Sequence, residues 1–132
     1  PNNVFRESSR INSTFGGDFV DMLRLQLVLE VIEEENLVEN SKVVGAYLLH
    51  ELQQLALRFP NYVSNARGKG LMCAIDLPSV EARNRLQNEL YEKGVIILGC
   101  GTHSLRFRPH LNVSMEEIDL AISKIVEVLD HF

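Results

Sequence analysis

The sequence predicts an α+β fold: a small, mainly antiparallel sheet covered by helices on one face and preceded by one long helix. Three observations carry that expectation. Apolar residues recur at helical spacing in four separate stretches. Short apolar segments between them read as strands, giving the order α-α-β-β-α-β-β-α. Glycine-rich clusters at Arg67–Gly70 and Gly99–Thr102 supply the turns that join those strands. Helices of that number in that order fit one face of a small sheet.

Residues 1–17 are polar and irregular and end in Gly16-Gly17. The long helix follows over GDFVDMLRLQLVLEVIEEENL, and the segment 18–39 is assigned to it. Phe19, Leu23, Leu27 and Val31 repeat at i+4, and Met22, Leu25, Val28, Leu29 and Ile32 spread apolar surface nearly all round. Such a helix is buried on more than one side, so a further domain or subunit is expected to cover it. Residues 40–132 are assigned to the small domain. Its first helix runs from about Ser41 to Leu57, with Val44, Leu48, Leu52 and Leu55 in register and Pro60 just beyond its end.

YVSNARGKGLMCAIDL then reads as two strands joined at Arg67-Gly68-Lys69-Gly70. A helix from about Ser79 to Lys93 carries Leu86 and Leu90 on one face, and Gly94 suits the residue just past its end. VIIL is a short buried strand, and Gly99-Cys100-Gly101-Thr102 is a turn. SLRFR is the last strand, ended by Pro109. The final helix opens on Ser114-Met-Glu-Glu117, a capping box, and buries Ile118, Ile122, Ile125 and Leu129.

The bulk composition narrows the function classes. A chain of 132 residues is long enough for one domain with a real core. A net charge of −5 argues against nucleic-acid binding, which needs a basic face. No apolar run is long enough to span a bilayer, and no signal peptide is visible, so no membrane partner is expected. Cys73 and Cys100 lack metal-type spacing, and a reduced cytoplasmic pair is favoured over a disulfide. The start PNNVFRESS, without methionine, is read as part of something longer.

Four features could carry chemistry. In a strand, Arg106 and Arg108 share a face, and an arginine fork can hold a carboxylate by two parallel bonds. Taken alone, an RxR pair in a strand is read first as a salt-bridged, solvated strand and second as an anion site. Asn12-Ser13-Thr14-Phe15-Gly16-Gly17-Asp18 precedes a helix, where hydroxyls and backbone N–H groups form a phosphate site; a simple N-cap after a glycine turn is the plainer reading. Arg67-Gly68-Lys69-Gly70 lacks the spacing of a phosphate loop and joins two strands, so it is read as a hairpin turn. His50, His103, His110 and His131 are scattered, which leaves no metal site, and Cys100 has no visible activating base.

Taken together, NSTFGGD before a long helix, then NARGKGLMCAIDL, then KGVIILGCGTHSLRFRPHLNVSMEEID resemble the C-terminal part of the class III (ω-amino) aminotransferases. Within that class the segments are most similar to the L-lysine 6-aminotransferases and next most similar to the 4-aminobutyrate aminotransferases, with 4-aminobutyrate or ornithine as the alternative donor. The resemblance implies the small C-terminal domain of a fold type I enzyme whose cofactor is pyridoxal 5′-phosphate. It implies that the long helix runs between two domains. It further implies a homodimer in which Thr14, with Ser13 beside it, reaches the cofactor phosphate of the other subunit. Arg106 would bind a substrate carboxylate, and Arg108 would be structural. The amine donor and 2-oxoglutarate would be the substrates, and the enzyme would be cytoplasmic. The Schiff-base lysine of this family lies upstream of the NST segment. Lys42, Lys69, Lys93 and Lys124 all follow it, and the aspartate expected at the pyridine nitrogen is absent. The chain alone is therefore expected to hold no catalytic residue and to be inactive. On the residues alone, a non-catalytic α+β module that uses the same RxR for a small anion stays open beside this reading.

Overall fold

A computed structural model of the chain describes residues 6–8, 14 and 16–132. Its elements are α1 (Phe19–Glu34), α2 (Leu37–Arg58), β1 (Ser64–Lys69), β2 (Met72–Asp76), α3 (Val80–Glu92), β3 (Leu98–Cys100), β4 (Ser104–Phe107) and α4 (Met115–Leu129). Their order is the expected one. The chain divides into two compact units, Pro1–Glu35 and Asn36–Phe132. Among the described residues no helix is long and apolar enough to cross a membrane.

The first unit is built on α1. Asp18 caps it by accepting hydrogen bonds from the backbone N–H groups of Val20 (2.9 Å) and Asp21 (3.1 Å), after a turn in which Gly17 takes a left-handed φ of 85°. α1 buries none of its residues. Its large apolar side chains stay exposed, from Phe19 at 86% to Val31 at 45%. The helix is also shorter than the segment 18–39. Glu33, Glu34 and Glu35 bring negative charge to the negative end of the helix dipole. Asn36 then adopts a left-handed φ of 52°, a conformation asparagine tolerates better than most residues. α2 therefore starts at Leu37, ahead of Ser41.

The second unit is one four-stranded antiparallel sheet in the order β1-β2-β4-β3. In β2, Cys73 and Ile75 are buried and alternate with Met72, Ala74 and Asp76. They stand opposite Phe107 and Leu105 of β4. This face meets Leu48, Leu52 and Leu55 of α2, Leu86 and Leu90 of α3, and Ile118, Ile125 and Leu129 of α4 in one core cluster. Ser114 and Glu117 form the expected capping box of α4.

Two turns differ from expectation. Lys69 pairs directly with Met72, so the hairpin loop is Gly70-Leu71 alone. A positive φ at the first loop residue (Gly70, 54°) and not the second is the type II′ pattern, which matches strand twist. The third strand begins at Leu98 instead of Val95, because the Val95 N–H is already bonded to Leu90 O and the Gly94 N–H to Tyr91 O. These two bonds around Gly94, at φ 80°, close α3 in a Schellman motif. Gly99 and Cys100 consequently lie in β3, and the turn moves to residues 101–103. Gly99 suits its place: a Cβ there would run into the Arg83 guanidinium.

α2 approaches the hairpin at a glycine. A Cβ on Gly45 would collide with the Gly70 backbone. Gly→Ala inside a helix ordinarily stabilises by about 1 kcal/mol. Here Gly45→Ala is expected to destabilise by roughly 1–3 kcal/mol through overpacking. The urea unfolding midpoint should fall, and a rise would contradict the contact.

Candidate functional site

The strand register sorts polar residues onto the sheet face opposite the core. Arg67 pairs with Ala74, Ala74 with Arg106 and Arg106 with Leu98, while Asp76 pairs with Ser104 and Ser104 with Cys100. Because side chains alternate along each strand, all of these residues share one side. A polar cluster sits at one end of this face. The Ser104 hydroxyl donates to Asp76 Oδ1 (2.5 Å), Arg67 Nη1 donates to the same oxygen (2.8 Å), and Asn65 Nδ2 donates to Oδ2 (2.6 Å). Arg67 Nη2 also donates to Ser104 Oγ (3.2 Å). The β1–β2 register shifts between Ser64 and Arg67, where Asn65 takes a left-handed φ of 51°. That bulge lets two donors from one strand reach a single carboxylate. Burial opposes the Asp76 charge, but the bonds from Ser104, Asn65 and Arg67 and the Arg67 charge outweigh it and hold the carboxyl down at about 2.

Arg106 lies next along the same face. It is half-buried between Ala74 of β2 and Leu98 of β3, neither of which offers an acceptor side chain. Its Nε is buried and has no hydrogen-bond partner among the described residues. Such a donor is costly to leave unsatisfied. Arg108 lies just past the end of β4 and is exposed. Among the described residues neither arginine makes an ion pair. β4 is an inner strand. The salt-bridged, solvated strand that RxR alone suggests is therefore not what forms. Both arginines line a cleft of about 170 Å³ whose walls are mostly apolar, Ile96, Phe107 and Ile122 among them, with one carboxylate, Glu117. Guanidinium groups at the rim of an apolar cleft suit an organic acid with an apolar stem.

The remaining sequence-derived residues are placed as follows. Thr14 is exposed in a turn, and Ser13 lies outside the described residues. The capping bonds of α1 come from Asp18. Cys73 and Cys100 are both free. Cys73 pairs with Phe107 on the core face and Cys100 with Ser104 on the opposite face, so the sheet separates them. Burial pushes the Cys73 thiol up, away from reactivity. Lys42 pairs with Glu39 on α2, and Lys124 of α4 and Lys93, just past the end of α3, pair with Glu127. No cluster that could hold a metal ion occurs among the described residues. Sequence reasoning missed Asp76, Ser104 and Asn65 and treated Arg67 only as part of a turn. A carboxylate at the end of an apolar strand was the signal available.

Comparison with known proteins gives a consistent result. A family model described as aminotransferase class-III matches residues 1–129. The L-lysine-epsilon aminotransferase of Mycobacterium bovis is 46% identical over 127 residues, covering 96% of this chain and 28% of the relative. The mitochondrial 4-aminobutyrate aminotransferase of Sus scrofa is 36% identical over 123 residues, covering 93% of this chain and 25% of the relative. Among solved structures, lysine aminotransferase from M. tuberculosis in the internal aldimine form superposes with a TM-score of 0.89 at 46% identity, covering 97% of this chain and 29% of that one. The chain thus spans just over a quarter of the length of these relatives.

The Asp76 cluster has a signature in pH. A depressed folded-state value stabilises the fold above the carboxyl's ordinary 3.8, and the benefit is lost as pH falls through about 2. Arg67 is half exposed, so solvent screening discounts the contribution to on the order of 1–2 kcal/mol. Asp76→Asn should lower the denaturant midpoint at neutral pH. The gap from the unaltered protein should narrow as pH drops below about 4. A pH-independent gap would show that the carboxylate charge contributes nothing.

Proposed function

Since the chain belongs to the class-III aminotransferases, we propose that it forms the C-terminal part of an enzyme that moves the ω-amino group of L-lysine to 2-oxoglutarate. The donor assignment rests on the higher identity to lysine-epsilon aminotransferases than to the 4-aminobutyrate enzyme. The observation that carries the site is the buried Nε of Arg106, which has no partner among the described residues, beside a mostly apolar cleft. A substrate carboxylate satisfies that donor, and a fork of two N–H groups fixes its direction as well as its position. An inner strand is a rigid mount for such a clamp. Arg108, at the same cleft, shapes the rim.

The cofactor, pyridoxal 5′-phosphate, supplies the electron sink for amino-group transfer when bound. The residues of this chain fit two peripheral roles toward it. Thr14, with Ser13 next to it in sequence, would hold the phosphate of the partner subunit's cofactor in a homodimer. Arg106 holds the substrate so that its reacting end faces the cofactor. Lys42, Lys69, Lys93 and Lys124 all follow the NST segment, whereas the family's cofactor lysine precedes it, so that lysine is assigned to the larger part of the relatives' length. α1 runs between that part and residues 40–132, which accounts for apolar surface all round it. Two free thiols fit a cytoplasmic enzyme. The family match supports this reading over a stand-alone anion-binding module.

In the full-length protein, kcat/KM with 2-oxoglutarate as acceptor should be higher for L-lysine than for 4-aminobutyrate or ornithine. Arg106→Ala should cut kcat/KM for 2-oxoglutarate by the roughly 2–5 kcal/mol typical of truncating one side of a buried charge pair. A loss below about tenfold, 1.4 kcal/mol, would remove Arg106 from the clamp role. Thr14→Ala should weaken cofactor retention by about 0.5–1.5 kcal/mol, read as a higher Kd from cofactor absorbance after dialysis. An unchanged Kd would exclude the phosphate contact.

A further inference from the structure

β4 holds a site residue with little material of its own. It is four residues long, and only Leu105 and Phe107 tie it to the core by apolar contact. Register matters there more than elsewhere. A slip of one residue would carry Arg106 from the open face to the core face. Backbone pairing alone does not forbid such a slip, because every register satisfies the ladder.

Leu105 and Phe107, which a one-residue slip would turn out of the core, oppose it first, and the Asp76 cluster adds a polar tie to the same register. Among the described residues, Ser104 alone adds a polar side chain to the buried set, at 7% exposure. Its hydroxyl donates to Asp76 across the β2–β4 ladder and accepts from Arg67 of β1. Three strands are thereby joined at one oxygen. Arg106 follows Ser104 by two positions on the same face. Asp76 also neutralises Arg67 at 2.8 Å, so that Arg106 and Arg108, which make no ion pair among the described residues, are the cations that an incoming acid meets at the cleft.

We propose that Ser104, held by Asp76 and Arg67, is a positioning residue for the Arg106 carboxylate clamp. This rests on the clamp reading of Arg106 given above. Loss of the hydroxyl leaves the sheet paired and loosens the strand at the point where the guanidinium is aimed. Misplacement of a binding group by a fraction of an ångström weakens binding of the acid, because a bidentate fork tolerates little displacement.

The test uses the full-length, cofactor-loaded protein with 2-oxoglutarate as the varied substrate. Ser104→Ala should raise the KM for 2-oxoglutarate roughly tenfold, with the loss in KM rather than in kcat. In an Arg106→Ala background the same change should add less than about twofold, since a residue acting through Arg106 has nothing left to act on. Asp76→Asn, which keeps both strands and removes the charge, should follow the same pattern and replaces Ser104→Ala if that variant loses its cofactor. An unchanged KM in these variants overturns the proposal, as does an equal loss with and without Arg106, or a fall in kcat alone. If Arg106→Ala itself leaves KM unmoved, the clamp reading fails; if Arg106→Ala raises KM and the Ser104 and Asp76 variants do not, only the positioning role fails.

Discussion

The antiparallel pairing of β2 with β4 sets the chemistry of both sides of the sheet. Cys73 and Ile75 face Phe107 and Leu105 toward the helices, and Ala74 and Asp76 face Arg106 and Ser104 on the other side. One ladder of four pairs thus organises an apolar core and a polar, cation-bearing surface at once. The core side supplies the hydrophobic free energy, and the rigidity it confers is what makes a precise arrangement on the opposite side possible. The helix ends support this arrangement. The Schellman motif at Gly94 delivers the chain to β3, and the capping box at Ser114 starts α4 just after Arg108 and Pro109 have left the sheet.

The two compact units differ in how they treat apolar surface. Residues Asn36–Phe132 bury theirs in a single cluster shared by three helices and the sheet. α1 leaves its own outside, with no face that is predominantly polar. A helix with apolar residues all round is stable only where something encloses it. The second unit, by contrast, encloses its apolar surface with contacts it contains.

What was legible in the sequence was local. Gly94, Ser114-Glu117 and the stripe of α4 are signals within one or two helical turns, and each specified its feature. The end of α1 was not legible, because Leu37 and Val38 continue the apolar pattern while the acidic run and Asn36 break the helix. The start of β3 was misplaced because the Val95 N–H, free to enter a ladder as far as sequence shows, is taken by the helix before it. The Asp76 cluster was invisible for a different reason. Its members are separated by 28 and 37 positions, and only the sheet brings them together. Arg106 could be singled out from motif order, but its unpartnered Nε and its inner-strand position are properties of the fold alone.

The close approach of α2 to the β1–β2 hairpin has a dynamic consequence. Gly45 and Gly70 meet backbone to backbone, with no side chain between them. Neither residue has rotamers to lose, so the contact forms without side-chain entropy cost, and the ordering falls on the glycine backbones instead. The same absence removes the usual source of slack, since no side chain can rotate to absorb a displacement. Helix and hairpin should therefore fluctuate together as one body, which ties the strand that carries Arg67 to the motion of α2 as a whole.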